Sequence, residues 1–268
     1  MAVKKIRVRK NFLSVVVPIC KQEKTIKEDL THIDQVLAKT RFPYEIIAVI
    51  DGKTIDNSYR EAKKIKLSSL KVIGYQENRG KGYAVRFGMA QSRGDKIAFI
   101  DAGMDIDPNG ISMILEHMEW YQADIIVGSK RHLASKVDYP LTREIMSRIY
   151  HRLVWLLFGL KVSDTQAGLK VFRRPVLKKV LPRMLIKKFA FDVELLAIAK
   201  NLGFKRIYEA PIKLDRKRFE FSSTVDLNTV FEMIWSTLAV FYRLKILHYY
   251  DDKNKKAWPV DPKLKINY

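Results

Sequence analysis

Lys96-Ile-Ala-Phe-Ile100 runs directly into Asp101-Ala-Gly-Met-Asp105. A short β-branched and aromatic run reads as a buried strand, and the acidic, glycine-containing turn stops it. The same pattern lies upstream. Tyr44-Glu-Ile-Ile-Ala-Val-Ile50 closes on Asp51-Gly52, and Leu13-Ser-Val-Val-Val-Pro18 ends at a proline. Leu70-Lys-Val-Ile-Gly74 and Asp124-Ile-Ile-Val-Gly128 complete a set of five strands. Helical spacing fills the gaps. Residues 24–40 place Ile26, Leu30, Ile33, Val36 and Leu37 on one face, and further helices are expected over 56–66, 81–92 and 109–121. Strands separated by helices of this length imply βαβ units, hence an α/β fold with a mostly parallel sheet flanked by helices. Ligands gather at the carboxyl ends of the strands in such sheets. Asp51, Asp101 and the Gly128-Ser-Lys-Arg131 turn all fall there.

The second half changes character. Residues 142–160 form a basic amphipathic helix, with Ile145, Ile149, Leu153 and Leu156 on one side and Arg143, Arg148 and Arg152 distributed around it. A loop runs into a short strand over 162–173, a helix is expected over 191–201 and a strand over 205–213. A long helix over 225–247 carries Phe231, Trp235, Leu238, Phe241 and Tyr242. The chain thus divides into a basic segment (1–11), a main domain (12–224), an amphipathic helix (225–250) and a basic tail (251–268) whose lack of periodicity implies mobility.

Composition narrows the function. The 268 residues include 50 Lys+Arg against 29 Asp+Glu, a net charge of +21, while 47% hydrophobic residues indicate a globular chain. One cysteine, Cys20, excludes a disulfide framework and a cysteine-rich zinc site, and the five histidines show no ligand spacing. No apolar stretch reaches the roughly 20 residues of a membrane span. The charge excess calls for an anionic partner: nucleic acid, a phosphorylated substrate or an acidic lipid surface. No nucleic acid is expected, because a base-stacking platform and a recognised module are both missing from the sequence.

The two acidic turns, Asp51-Gly-Lys-Thr-Ile-Asp56 and Asp101-Ala-Gly-Met-Asp105, have two readings. Strand-end aspartates cap the helix or turn that follows. They also hold a hard divalent cation, which in turn neutralises a diphosphate. Glu77-Asn-Arg-Gly-Lys-Gly82, a glycine-flanked basic loop suited to phosphate, favours the second reading.

In order along the chain, Val15-Val-Val-Pro18 with Glu23, Asp51-Gly-Lys-Thr-Ile-Asp56, Asn78-Arg-Gly-Lys-Gly82 and Phe99-Ile-Asp-Ala102 resemble the motifs of family-2 GT-A glycosyltransferases. Gly128-Ser-Lys-Arg131, Asp164-Thr-Gln-Ala-Gly168 and Phe191-Asp-Val-Glu-Leu195 are similar to motifs of the polyprenyl-phosphate (dolichol-phosphate) mannose and glucose synthases within it. The resemblance covers roughly residues 12–224 and implies a GT-A fold. It also implies an inverting transfer of a hexose from a UDP- or GDP-sugar to a polyprenyl phosphate. Position by position, it implies that Pro18, Glu23, Asp51, Arg79, Lys81, Asp101 and Ala102 bind the nucleotide sugar. Asp101, Asp164 and Gln166 would lie at the reacting centre. Arg131, Arg143, Ser147, Arg148, Arg216, Arg218 and Ser222 would hold the acceptor phosphate. A Mg2+ or Mn2+ ion is implied at Asp101, the first residue of the family's Asp-x-Asp motif. This sequence has Gly103 where the second aspartate belongs, so Asp105 is the candidate replacement. Asp51-Gly52 also lacks the doubled aspartate of many relatives.

The chemistry agrees with that assignment. A phosphate acceptor is already anionic, so its attack needs little base catalysis; it needs cations to hold two anionic reactants together. A lipid acceptor must be met at a bilayer, and the aromatic-basic 225–247 helix and Trp155-Leu-Leu-Phe158 suit an interfacial anchor. These features imply an anionic membrane surface as partner and a peripheral location at the cytoplasmic face of a membrane. Two alternatives remain open: a family member with a soluble or glycan acceptor, and a degenerate nucleotide-sugar-binding protein without turnover because of Gly103.

Overall fold

The computed structural model describes residues 8–103, 105–132, 135, 141–214, 227–259, 261 and 264. Its strands are β1 (Arg9–Ile19), β2 (Tyr44–Asp51), β3 (Leu70–Tyr75), β4 (Gly94–Ile100), β5 (Ile125–Ser129), β6 (Leu169–Arg173) and β7 (Ile207–Pro211). They form one sheet in the order β3-β2-β1-β4-β6-β5-β7. The helices are α1 (Ile26–Leu37), α2 (Ser58–Lys64), α3 (Lys81–Gln91), α4 (Gly110–Trp120), α5 (Leu141–Phe158), α6 (Arg174–Val180), α7 (Phe191–Asn201) and α8 (Leu227–Phe241). Val15–Val17 in β1 and Ile46–Ile50 in β2 are buried throughout rather than alternately. Helices on both faces of a sheet produce that pattern.

The expected parallel arrangement holds for β1 with β2 and β4, for β2 with β3, and for β5 with β7. The exception lies in the middle of the sheet. β6 enters antiparallel between β4 and β5, with Leu169 opposite Ile100 and Phe172 opposite Ile125. Antiparallel entry starts β6 where β4 ends, so the 164–168 loop sits directly on the Asp101 turn.

Two long-range pairings fix the early strands. Glu45, buried in β2, accepts from the Ser14 hydroxyl at 2.6 Å, the Arg93 amide at 2.7 Å and the Arg93 guanidinium at 2.9 Å. Asp95 accepts the amides of Asn11 and Phe12 at 3.0 and 2.9 Å, which extends β1 into the segment expected to be a basic lead.

The segment expected to be a mobile basic tail packs back onto the domain at the residues described. After α8 a single π-helical turn (Tyr242–Ile246) and a 3-10 turn (Asp252–Ala257) follow. Tyr250 is fully buried, Trp258 is 4% exposed and Leu264 is 1% exposed. The Arg183 side chain donates to the Tyr250 carbonyl at 2.8 Å, stacks over the Trp258 ring at 4.1 Å and pairs with Asp252. Single anchors inserted from irregular backbone leave no periodic signature, which is why the pattern of the sequence misses this docking.

Glu194 on α7 holds the fold on this side. Its carboxylate is fully buried and accepts the Leu185 and Ile186 amides, each at 2.9 Å, and the Tyr250 hydroxyl at 2.8 Å. Burial pushes its pKa up, and the three donors work in the opposite direction. Glu194→Ala strands all three donors, and we expect it to lower stability by about 3 kcal/mol. Glu194→Gln keeps one acceptor oxygen and should cost about half of that. Urea unfolding of the two variants checks the difference.

Candidate active site

Asp51 ends β2 and is 3% exposed. Its two carboxylate oxygens accept the amides of Arg79 and Gly80 at 2.7 and 3.0 Å, so it shapes the 78–80 loop from below. Glu23 is exposed and takes the Asn57 amide at 3.0 Å, tying the β1–α1 loop to the β2–α2 loop. Pro18 is half-buried in β1 opposite Val49, and Asn78 donates to the Cys20 sulfur at 3.3 Å. Six of the residues expected to bind a nucleotide sugar (Pro18, Glu23, Asp51, Arg79, Lys81 and Asp101) therefore sit at or just past the carboxyl ends of β1, β2 and β4, on the loop before α3 and at the first position of α3. Ala102, half-buried, completes the group.

Lys81, at the first position of α3, donates from Nζ to Asp101 Oδ2 at 2.8 Å. Burial works against the Lys81 charge, but Asp101 and Asp192 outweigh it and hold the pKa above the usual lysine value. Below this pair lies a second one. Lys170 of β6 is fully buried, with Nζ 2.6 Å from both Asp192 Oδ1 and the Ala167 carbonyl and 5.0 Å from the centre of the Phe99 ring. Burial pushes the Lys170 ammonium down from its usual value, opposed by Asp192. Charges therefore alternate through Asp101, Lys81, Asp192 and Lys170. The sequence reading missed Lys170 and Asp192 as individual residues. Asp192 was visible only as part of the Phe191-Asp-Val-Glu-Leu195 motif, and Lys170 only as a lysine among the apolar Leu169, Val171 and Phe172.

Glycine is required where β6 begins. The Asp101 amide donates to the Gly168 carbonyl at 2.9 Å, and a Cβ on residue 168 would stand 1.9 Å from Asp101 Oδ2. Gly103 has a different reason. Its φ of +92° is backbone that side-chain-bearing residues rarely adopt, while a Cβ there would meet only Gln22 Nε2 at 3.6 Å. The missing aspartate at 103 thus reflects the course of the turn rather than crowding. The Gly103 amide is received by Asp29 Oδ2 at 3.3 Å.

On the other side of Asp101, the expected reacting-centre residues assemble around the end of β5. Asp164 is 9% exposed and accepts the Lys130 amide at 3.2 Å, with Lys130 Nζ at 3.8 Å. Arg131 reaches the Ser163 carbonyl at 3.4 Å. Glu209 of β7 secures the loop by accepting the amides of Ser163 and Asp164 at 2.7 and 3.1 Å. Lys130 lies inside the Gly128-Ser-Lys-Arg131 motif without a role assigned to it, and Ser163 and Glu209 are further residues that motif spacing did not single out. Three buried polar atoms here have no hydrogen-bond partner: Asp101 Oδ1, Gln166 Nε2 and Arg131 Nη2. Buried polar atoms are almost always paired, so these three atoms on adjoining loops leave hydrogen-bonding capacity for a ligand or for water.

Of the remaining acceptor-site expectations, Ser147 and Arg148 are exposed on α5. Arg143 belongs to the same helix, with its side chain outside the described set, and Arg216, Arg218 and Ser222 lie outside the described residues.

For a divalent cation, Asp101 Oδ1 is a hard oxygen without a partner, which fits one coordination position. No group of three or more His, Cys, Asp or Glu side chains that could hold a metal occurs among the described residues. Asp105 is half-buried on the same turn, just before the Ile106–Leu214 bridge. Any cation at Asp101 would therefore rely on few protein ligands.

The family model Glycosyl transferase family 2 matches residues 14–181. A dolichyl-phosphate beta-glucosyltransferase of Drosophila melanogaster is 35% identical over 205 residues, 71% of this chain and 63% of the relative. Its Homo sapiens counterpart is 31% identical over 270 residues, 95% of this chain and 80% of the relative. This chain thus spans just under two thirds of the fly protein. Glucosyl-3-phosphoglycerate synthase from Mycobacterium tuberculosis, crystallised with Mn2+, UDP and glucosyl-3-phosphoglycerate, superimposes with a TM-score of 0.62 at 19% identity, covering 86% of this chain and 78% of that one. Mannosyl-3-phosphoglycerate synthase from Rubrobacter xylanophilus gives 0.67 at 14% identity, covering 90% and 76%. The shared architecture is the GT-A fold.

Close approach at Gly168 can be tested directly. Gly168→Ala should cost about 1–3 kcal/mol as the new methyl displaces the Asp101 carboxylate. In Gly168→Ala/Asp101→Ala the obstructing oxygen is gone, so the double variant should be more stable than the two single costs add up to. A thermal-unfolding cycle on the four proteins measures the coupling.

Proposed function

Because the chain belongs to glycosyl transferase family 2, we propose that it transfers a hexose from a nucleotide diphosphate sugar, UDP- or GDP-linked, to a polyprenyl (dolichyl) phosphate. Glucose is the favoured sugar, since the fly and human relatives are both dolichyl-phosphate beta-glucosyltransferases. The observation that carries the reading is the adjacency described above. The Lys81–Asp101 pair at the end of β4 is joined through Gly168 to the loop where Asp164, Gln166 and Arg131 meet.

In this reading the donor diphosphate lies along the 78–81 loop, near the Arg79 and Lys81 cations. An oxygen of the acceptor phosphate, held by Arg131 with Arg143, Ser147 and Arg148, attacks the anomeric carbon. The bond to the nucleoside diphosphate breaks and its electron pair leaves with the phosphate oxygen, so attack from the opposite face inverts the centre. The acceptor is an anion, so no proton has to be removed for attack. Lys81 and Arg79 offset the charge that builds on the leaving group. Gln166 Nε2 and Arg131 Nη2 supply donors to the reacting groups. Asp101 Oδ1, helped by Asp105, would hold a Mg2+ or Mn2+ ion, whose charge further supports the departing diphosphate.

The acceptor's lipid also accounts for two exposed apolar stripes. Ile145, Ile149 and Leu156 follow helical spacing on α5, and Phe231, Trp235 and Leu238 do so on α8, with Tyr242 continuing the stripe onto the π-helical turn. The two helices touch, with the Tyr150 and Thr237 hydroxyls 2.8 Å apart and the Phe158 and Phe241 rings 6.2 Å apart. Trp235 is 67% exposed and Leu156 is 74% exposed, which core packing does not explain. No described helix is long and apolar enough to cross a membrane. We therefore assign these stripes to an anionic bilayer surface and the protein to peripheral attachment at a cytoplasmic membrane face.

The decisive experiment mixes the protein with polyprenyl phosphate, Mg2+ or Mn2+ and a panel of labelled sugar nucleotides. Organic-extractable label is expected with a glucose donor, and Asp101→Ala should reduce it by at least about a hundredfold, as expected for a group acting on developing charge. Nucleotide-dependent stabilisation without transfer to any lipid would favour the second reading, a binding protein without turnover, for which Gly103 is the specific observation.

Liposome co-sedimentation tests the surface. Binding to anionic vesicles should weaken with salt yet persist in part, because apolar burial is not screened. Trp235→Glu with Leu156→Glu should abolish the salt-resistant fraction while leaving thermal stability nearly unchanged.

A further inference from the structure

Asp261 sits in a position that neither motif nor family assignment explains. Its Oδ2 accepts the Tyr83 hydroxyl at 2.7 Å and lies 3.6 Å from Arg79 Nη1. Arg79 Nη1 in turn donates to the Tyr83 oxygen at 3.0 Å, and its guanidinium stacks over the Tyr83 ring at 4.9 Å and the Tyr75 ring at 5.8 Å. Tyr83 packs edge-on against Tyr75 at 5.0 Å. The Tyr83 hydroxyl, pushed up to about 12 by burial and by Asp261, stays protonated, so one proton direction runs from Arg79 through Tyr83 to Asp261. Asp261 is not a surface charge that meets Arg79 by chance. Trp258, stacked on Arg183, and Leu264, buried, fix the chain on either side of it.

Arg79 is the residue whose amide Asp51 holds from below. Its backbone and its side chain are therefore fixed by two different carboxylates, one from β2 and one from the C-terminal segment. We propose that Asp261 is a positioning residue for the donor site: through Tyr83 it holds Arg79, the 78–80 loop and the first turn of α3 in the form that receives the donor diphosphate. This rests on the donor-site reading above and adds to it the C-terminal segment as a structural part of that site. The arginine is held for the donor beforehand, so less ordering remains to be done on binding.

Two measurements test this on the full chain. Hydrogen exchange without nucleotide reads the loop itself, and Asp261→Ala and Tyr83→Phe should each quicken exchange of the amides from 79 to 84. Affinity and kinetics read its use. Each variant should weaken UDP or GDP binding in the presence of Mg2+ by roughly three- to tenfold, the range for a lost partly exposed charge-assisted bond. The donor KM should rise by the same factor and kcat should fall, because Arg79 also faces the charge that builds on the leaving group, while the polyprenyl-phosphate KM stays unchanged. The double variant should be little worse than either single, and Asp261→Glu should recover part of the loss. Unaltered exchange and unaltered donor affinity in Asp261→Ala would overturn the inference alone. Tighter nucleotide binding by that variant would also overturn it, because the carboxylate would then be competing with the donor. Failure of the unmodified protein to bind any nucleotide would overturn the donor-site reading first and this inference with it.

Discussion

A lysine fully enclosed in a sheet is tolerated only with a carboxylate in contact, and the Lys170–Asp192 pair is the constraint on which the centre of this molecule depends. Lys170 lies on the strand that runs against its neighbours, and its ammonium also holds the Ala167 carbonyl. The turn that carries Asp164 and Gln166 is therefore anchored from inside the core. Asp192, at the start of α7, also acts on Lys81 at the start of α3, so this pair and the Lys81–Asp101 pair share a carboxylate. Removing either member of the pair would leave a lone charge in the core. Replacing both with apolar groups would keep the packing but lose the anchor on the turn.

Much of the fold follows from local patterns. The strands of the first half, β-branched runs closed by an aspartate, a proline or a glycine, occur in the structure close to their expected ends, although β1 starts earlier, at Arg9, and runs through Pro18 to Ile19; the helices between them follow their apolar spacing. The reversed direction of β6 was not readable, because Leu169-Lys-Val-Phe-Arg173 has the same composition whichever way it runs. Only pairing with β4 and β5 sets its direction. The site divides in the same way. Asp51, Lys81 and Asp101 stand at strand ends or helix starts, where chemistry and position coincide in sequence. Lys170, Glu209 and Asp261 act through contacts over 22, 46 and 178 positions. No local spacing encodes such distances. The exposed aromatic residues of α8 show a further limit. An apolar stripe at helical period identifies a face that avoids water, and it takes the three-dimensional structure to tell whether protein covers that face.

The course of the C-terminal segment bears on how the molecule comes into being. Tyr250 must find Glu194 over 56 positions, and Asp261 must find Tyr83 over 178. A chain emerging from the ribosome in order can pair β1 through β7 well before either contact exists. Ordering over such long separations is entropically costly and slow. During synthesis there is accordingly an interval in which the sheet stands complete while the 78–80 loop still lacks its last restraint. A nascent chain halted in that interval would look folded to a probe of the sheet and unfinished to a probe of the loop.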